Sequence, residues 1–267
     1  MPRSKHNDPN APAAAAAEAA EARADVVTAT LHGCDVVVPQ ATGTDVFEVF
    51  RALRAGRRVE VTRLYPGFSD DHAVRDHVRA SMRRFVDAAP HPALPAITAV
   101  DDDVWLVQGF CSRCVGVGSL VHQMKQRAIP LDLQLVADVV VPLCGALEAV
   151  GSQRHAQPRA VVVDVDGAVS LWCAEQIQRP QRPIAAPHLA SSLADLMVLL
   201  LGGRPGARLS DVAPELCDAL DPVIDACRSE DPPSLPEIAE ALRDRAVDVD
   251  TAGAANMADL VRALFGH

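Results

Sequence analysis

The residues with most chemistry in them lie between Gln153 and Glu175: a loop imidazole at His155, followed by the carboxylates of Asp164, Asp166 and Glu175. Histidine is the side chain poised for proton transfer near neutrality, and carboxylates are natural ligands for a divalent ion. Together they could form a base beside a metal. Against this, an isolated loop histidine is usually solvated, and Asp166-Gly167 is a good hairpin turn. Two other groups invite a metal. Asp101, Asp102 and Asp103 are consecutive, so their side chains point apart rather than converging on one ion, and a solvated turn is expected. Cys111 and Cys114 form the one CxxC. Zinc normally needs a second ligand pair at matching spacing, and Cys144, Cys173, Cys217 and Cys227 supply none, so neither metal nor redox chemistry is expected there.

The elements that must position these groups are legible from periodicity. CDVVV, DVFEVFRAL and RRVEVTRL, beginning at Cys34, read as strands. In the last, Val59, Val61 and Arg63 alternate with Glu60, Thr62 and Leu64. Ser69 to Ala88 carries Val74, Val78, Met82, Phe85 and Val86 at helical spacing, the mark of an amphipathic helix. Residues 97–100 and 104–110 predict a hairpin around the aspartate triplet. Ser119 is the expected N-cap of the next helix. Leu131 to Val150 is apolar nearly all round, which predicts a buried helix, with Pro142 expected to kink it. Three valines, a turn at Asp164 to Gly167 and a strand at Val169 to Trp172 follow, then an apolar helix over 191–201. Ser234 and Glu237 form a capping box with Pro236 in the first turn. Met257 to Phe265 predicts a short amphipathic helix that either packs on the domain or binds a partner. The Ala-rich first 30 residues offer no apolar stripe and read as a disordered tail.

Composition excludes several classes. A net charge of −10 and a pI near 5.3 argue against a broad phosphate-binding surface, so no nucleic-acid partner is expected. No apolar run reaches the roughly 18 to 20 residues of a membrane helix, and the first thirty residues lack the apolar core of a signal peptide. The expectation is a cytoplasmic protein without membrane insertion. Seven cysteines scattered through apolar segments are the usage of reduced, buried thiols. Lys5 and Lys125 are the only lysines among 25 basic residues, an arginine bias that suggests a GC-rich, actinobacterial source.

The order of these pieces resembles bacterial Ser/Thr protein kinases of eukaryotic type. VFEVFRA, a turn and VEVTRL look like the family's second and third strands. HPALPAI resembles the HPNIV after its first helix, GSLVHQMKQ its GxSL helix entry, and GGRPG the family's TGRPP. LCDALDPVIDACRSEDPPSLPEIAEALRD matches the bacterial kinase pattern LxxxLDxxIxxALxxDPxxRPxxAxELxxAL. The resemblance covers about Cys34 to Arg245. It implies an α+β, bilobal kinase-like fold: a pseudokinase domain over 31–248, with a small β-rich lobe with one helix over about 31–110 and a larger, mainly helical lobe over about 111–248. A linker and short helix over 249–267 follow.

Laid on that family, the functional positions are degenerate. Thr62 stands where the strand lysine would contact phosphates, and Met82 where the helix glutamate would pair with it. With Pro158 on the proline of HRDLKPxN, Gln153 falls at the His, His155 at the catalytic Asp, Gln157 at the Lys and Ala160 at the metal-binding Asn. Cys173 falls at the DFG Asp. Phe47 replaces the third glycine of the phosphate-covering loop, leaving Gly43. Gln108 falls at the gatekeeper, with Phe110 in the hinge. The family's segment-ending APE is Ala186, Pro187 and His188 here, and the arginine that pairs with its Glu is Leu235. Phosphoryl transfer needs a carboxylate for the hydroxyl proton and an Asp with an Asn for magnesium, and all three are replaced. The resemblance therefore implies a catalytically inactive pseudokinase with no cofactor, a protein-binding regulatory scaffold. It is similar to the intracellular pseudokinase segment of peptidoglycan-precursor flippases, which is phosphorylated by an active Ser/Thr kinase and bound by a forkhead-associated domain protein. Thr28, Thr30, Thr42, Thr44 and Thr251 are the candidate phosphoacceptors. Two other readings stay open: a ligand sensor using the interlobe cleft, and a non-standard phosphotransferase built on His155 with Asp164, Asp166 or Glu175.

Overall fold

The computed structural model describes residues 30–31, 33–40, 46–68, 70–88, 90–108, 114–129, 131–151, 156–177, 189–248 and 257–266. Its first half is an antiparallel sheet of six strands: β1 (Thr30–Leu31), β2 (Cys34–Gln40), β3 (Phe47–Arg54), β4 (Arg57–Leu64), β5 (Ala96–Asp101) and β6 (Val104–Gln108), in the order β1-β2-β3-β4-β6-β5. The β3–β4 hairpin turns through Ala55 and Gly56, both at positive φ (50° and 75°), the geometry whose twist suits a two-residue connection.

Alternation divides the sheet into two apolar faces. One carries Cys34, Ala52, Val59, Val61, Val104 and Leu106 as a satellite cluster. At its margin Arg63 donates from Nε to Glu48 (2.9 Å) and lies 5.4 Å over the Phe50 ring. The other face presents Phe47, Val49, Leu64, Trp105 and Val107 to the main core. Glu60 and Thr62 share that second face by strand period, and both are buried.

Helix α1 (His72–Asp87) lies between β4 and β5 in the chain. Asp71 caps it by accepting from the Val74 amide (3.1 Å), and it buries Val74, Val78, Met82 and Phe85. The aspartate triplet proves to be more than a solvated turn. Asp103 is half-buried and accepts from Arg75 Nη2 (3.1 Å) and Arg79 Nε (2.8 Å), tying α1 to the β5–β6 hairpin.

The second half is mainly helical, with a three-stranded antiparallel sheet, β7 (Val115–Gly116), β8 (Val161–Val163) and β9 (Val169–Leu171). Its helices are α2 (Val117–Gln126), α3 (Leu133–Ala149), α4 (Cys173–Gln176), α5 (Leu189–Leu200), α6 (Cys217–Cys227), α7 (Leu235–Asp248) and α8 (Met257–Phe265). Ser119 is not the N-cap of α2. Gly116 holds that place because it still pairs with Val162 in the sheet, so the helix starts directly from the strand and Ser119 falls in its first turn. Helix α3 stays helical through Pro142 from an Asp132 cap that accepts from the Leu135 amide (2.8 Å), and it is buried at Leu135, Val136, Val139, Val140, Leu143 and Leu147. Half of the capping box of α7 is formed, with Glu237 accepting from the Ser234 amide (2.8 Å) and hydroxyl (2.6 Å). Helix α8 packs on the domain, burying Met257, Leu260, Val261 and Leu264. Among the described residues no helix is long and apolar enough to cross a membrane. The architecture is α+β.

Candidate functional site

A buried side-chain contact joins the two halves. Strand alternation turns Glu60 and Thr62 of β4 inward, and the short strand β9 delivers Trp172 beneath them. Trp172 is fixed by the chain around it: the Leu171 amide donates to the Ala93 carbonyl (3.0 Å), and the Trp172 amide donates to the Ala160 carbonyl (2.6 Å). Its indole Nε1–H then donates to Glu60 Oε1 (2.9 Å), and the Thr62 hydroxyl donates to the same oxygen (3.1 Å). Glu60 is 2% exposed and Thr62 0%. A charged carboxylate at such a depth is costly. Burial, the largest influence, pushes Glu60 up to about 7. The bonds from Trp172 and Thr62 and the charge of Arg51 pull it down, and the charge of Glu175 pushes it further up.

Directly after Trp172, helix α4 adds Cys173, Ala174 and Glu175, all buried. Burial raises the Cys173 thiol far above its ordinary range, and the charge of Glu60 adds to this. A thiol held protonated in this way is neither a nucleophile nor a ready metal ligand. Glu175 is 4% exposed, with Arg159 Nε 4.0 Å from its Oε2. Two acids, one with its proton held near neutrality, therefore lie beneath the sheet with an indole and a hydroxyl.

The sequence-derived positions separate into three sets. Thr62 and Cys173 belong to this cluster, and Ala160, fully buried, supplies the carbonyl that positions Trp172. Met82 and Phe47 are core residues. Met82 is 0% exposed, and the Phe47 ring stands edge-on to Trp105 at 6.1 Å, with Trp105 paired across the sheet with Thr62. Gln108 is exposed at the end of β6, and Gln157 is half-buried with its amide donating to Gln176 Oε1 (3.2 Å). Gly43, Phe110, Cys111, Gln153, His155 and His188 lie outside the described residues, as does the Ala-rich tail up to residue 29.

The acidic candidates at the turn are engaged in structure. Asp164 Oδ1 accepts from the amides of Asp166 (2.8 Å) and Ala168 (3.0 Å), closing the β8–β9 turn, and Asp166 pairs with Arg262 at 3.2 Å. Among the described residues no group of three or more His, Cys, Asp and Glu side chains is arranged to hold a metal ion. Sequence reasoning missed Glu60 and Trp172 as partners. Half the signal was present, since Glu60 alternates onto the same strand face as Thr62 and Leu64. The other half, a tryptophan 112 residues away, was not. A scan of the chain against known protein families finds no match, and a search of curated proteins finds none.

Proposed function

We propose that this chain is a catalytically inactive pseudokinase, with a sheet-bearing lobe over about 31–110 and a helical lobe over about 111–248, that acts in the cytoplasm as a protein-binding regulatory scaffold in Ser/Thr-kinase-controlled cell-envelope signalling. The observation that carries the reading is the contact of Thr62 and Trp172 with Glu60. A kinase needs a cation at the position of Thr62 to meet phosphate. Here a buried hydroxyl is turned onto a buried carboxylate, and an indole from the other half of the chain closes on the same oxygen. A hydroxyl turned onto an acid in that place offers phosphate no cation. At the magnesium position, Cys173 is a buried, protonated thiol. The function is then carried by the surface, with a phosphothreonine read by a forkhead-associated domain as the partner chemistry.

The test is a thermal-shift series with ATP, ADP and GTP, each with magnesium, manganese or chelator. A ligand at about a hundred times its dissociation constant adds roughly 2.7 kcal/mol to stability, which is readily seen. No shift is expected under any condition. A metal-dependent shift with any nucleotide refutes the reading. Phosphosite mapping after incubation with an active Ser/Thr kinase, followed by capture on a forkhead-associated domain, checks the scaffold role.

A further inference from the structure

The groups around Glu60 come from two bodies of chain, and the two treat its charge differently. Within its own sheet the surroundings favour the anion. Arg51 stands across from Glu60 in the β3–β4 register, and Thr62 donates to its Oε1 at 3.1 Å. Val107, its partner on β6, carries no charge. Helix α1 buries Val74, Val78, Ser81, Met82 and Phe85, none of them a charged group. From the second half come Trp172, Cys173 and Glu175, all buried. Trp172 supplies a hydrogen bond (2.9 Å). The other two bring a protonated thiol and a second acid, whose charge opposes that of Glu60, with Arg159 Nε 4.0 Å from Glu175 Oε2.

A second contact crosses the junction one residue away. The Leu171 amide donates to the Ala93 carbonyl (3.0 Å), whereas the Trp172 amide stays within the second half, on the Ala160 carbonyl. The titratable group beside Ala93 is His91, whose Nδ1 accepts the Ala93 amide (3.2 Å). Leu171 and Trp172 thus present two N–H groups to the sheet-bearing half, the amide of one and the indole of the other.

With the halves together, a neutral Glu60 carboxyl accepts from Trp172 and Thr62 and has no charge for burial to oppose. An ionised carboxylate at the same depth has lost its water and faces Glu175. Parting the sheet from Trp172 forfeits the indole bond, which water replaces, and takes Glu60 away from Glu175. Arg51 and Thr62 travel with the sheet and go on favouring the anion. Such a differential interaction of one group with two arrangements is what shifts the balance between them.

We propose that the Glu60–Trp172 contact is a proton-operated latch between the two halves: protonated Glu60 holds the sheet on the helical half, and loss of that proton releases the sheet from Leu171 and Trp172. The proposal does not depend on the pseudokinase reading.

The experiment follows hydrogen exchange by nuclear magnetic resonance in the full chain, wild type and Glu60→Gln, from pH 5.5 to 8. Three N–H groups are read: the Leu171 amide and Trp172 indole, which cross the junction, and the Trp172 amide, which does not. Dividing wild type by variant at each pH cancels the intrinsic pH dependence of exchange and any contribution of His91 that both proteins share. A carboxyl that titrates near 7 when buried and near 4.5 in water binds fewer protons once released, so opening is favoured as pH rises. By that linkage the ratio for both crossing groups should climb about 25-fold over the interval. The Trp172 amide should exchange more slowly than either at every pH. A ratio that stays flat removes Glu60 as the trigger. Exchange of the indole with Leu171 still protected means that the ring swings out alone and overturns release of the sheet. All three groups exchanging at one rate leaves only whole-chain unfolding and overturns it equally. Should Glu60→Gln fail to fold, Trp172→Phe, which removes the indole donor, must speed exchange of the Leu171 amide at pH 5.5; an unchanged rate refutes the latch.

Discussion

Replacing Glu60 by glutamine should make the protein more stable above neutral pH, although it alters a hydrogen-bonded residue. Burial raises the Glu60 carboxyl from an ordinary 4.5 to about 7. The folded state therefore holds a proton that the unfolded chain has released over the interval between those values. Where the folded state binds more protons, stability falls as pH rises. The group costs nothing below pH 4.5, loses stability through the interval, and above 7 imposes its full cost. A shift of about 2.5 units at about 1.36 kcal/mol each is on the order of 3 kcal/mol. Glutamine carries no charge at any pH, is nearly the same shape, and its carbonyl accepts from Trp172 and Thr62 as Oε1 does. Urea unfolding of wild type and Glu60→Gln from pH 4.5 to 8.5 reads Glu60 together with the groups coupled to it, because titrations independent of Glu60 cancel in the difference. The difference should favour glutamine progressively, by about 3 kcal/mol at pH 8 relative to pH 4.5. A difference that stays flat with pH would show that Glu60 titrates as an ordinary carboxyl and would refute the argument. Glutamine destabilising most at high pH would mean that Glu60 is a stabilised anion held by its two donors.

Trp172→Phe keeps most of the ring and removes the Nε1 donor 2.9 Å from Glu60. The expected loss is about 1 to 3 kcal/mol, and since that bond pulls the carboxyl down, the pH at which wild-type stability levels off should move upward in the variant. Ala55 turns the β3–β4 hairpin at φ 50°, so Ala55→Asn should raise stability by about 1 kcal/mol; an unchanged urea midpoint would count against strain at that turn. Burial pushes the thiols of Cys144 up to about 12 and Cys227 up to about 11. Mass spectrometry after iodoacetamide at pH 8 should find both unmodified in the native protein and modified in urea.

The strands from Cys34 to Leu64, helix α1, helix α3 and the capping box of α7 were legible because each rests on a local pattern: period two, period 3.6, or a Ser and Glu three apart. Local rules failed where a neighbour in space decided the outcome. Ser119 lost the cap of α2 because Gly116 was held in the sheet. Asp103 is only half exposed to solvent because two arginines of α1 reach it. The choice open at Met257–Phe265 was settled for packing by the room Gly167 leaves at the helix start and by Arg127, which donates to the Ala263 and Leu264 carbonyls; sequence distance hid both. The same division runs through the candidate site. The sequence by itself determined, through strand alternation, that Glu60 shares a face with Thr62. Only the tertiary structure decided that this face closes on Trp172. Burial and a hydrogen bond between residues 112 apart depend on how the sheet and the helical half come together, and a carboxyl is held protonated near neutrality only once both have removed it from water.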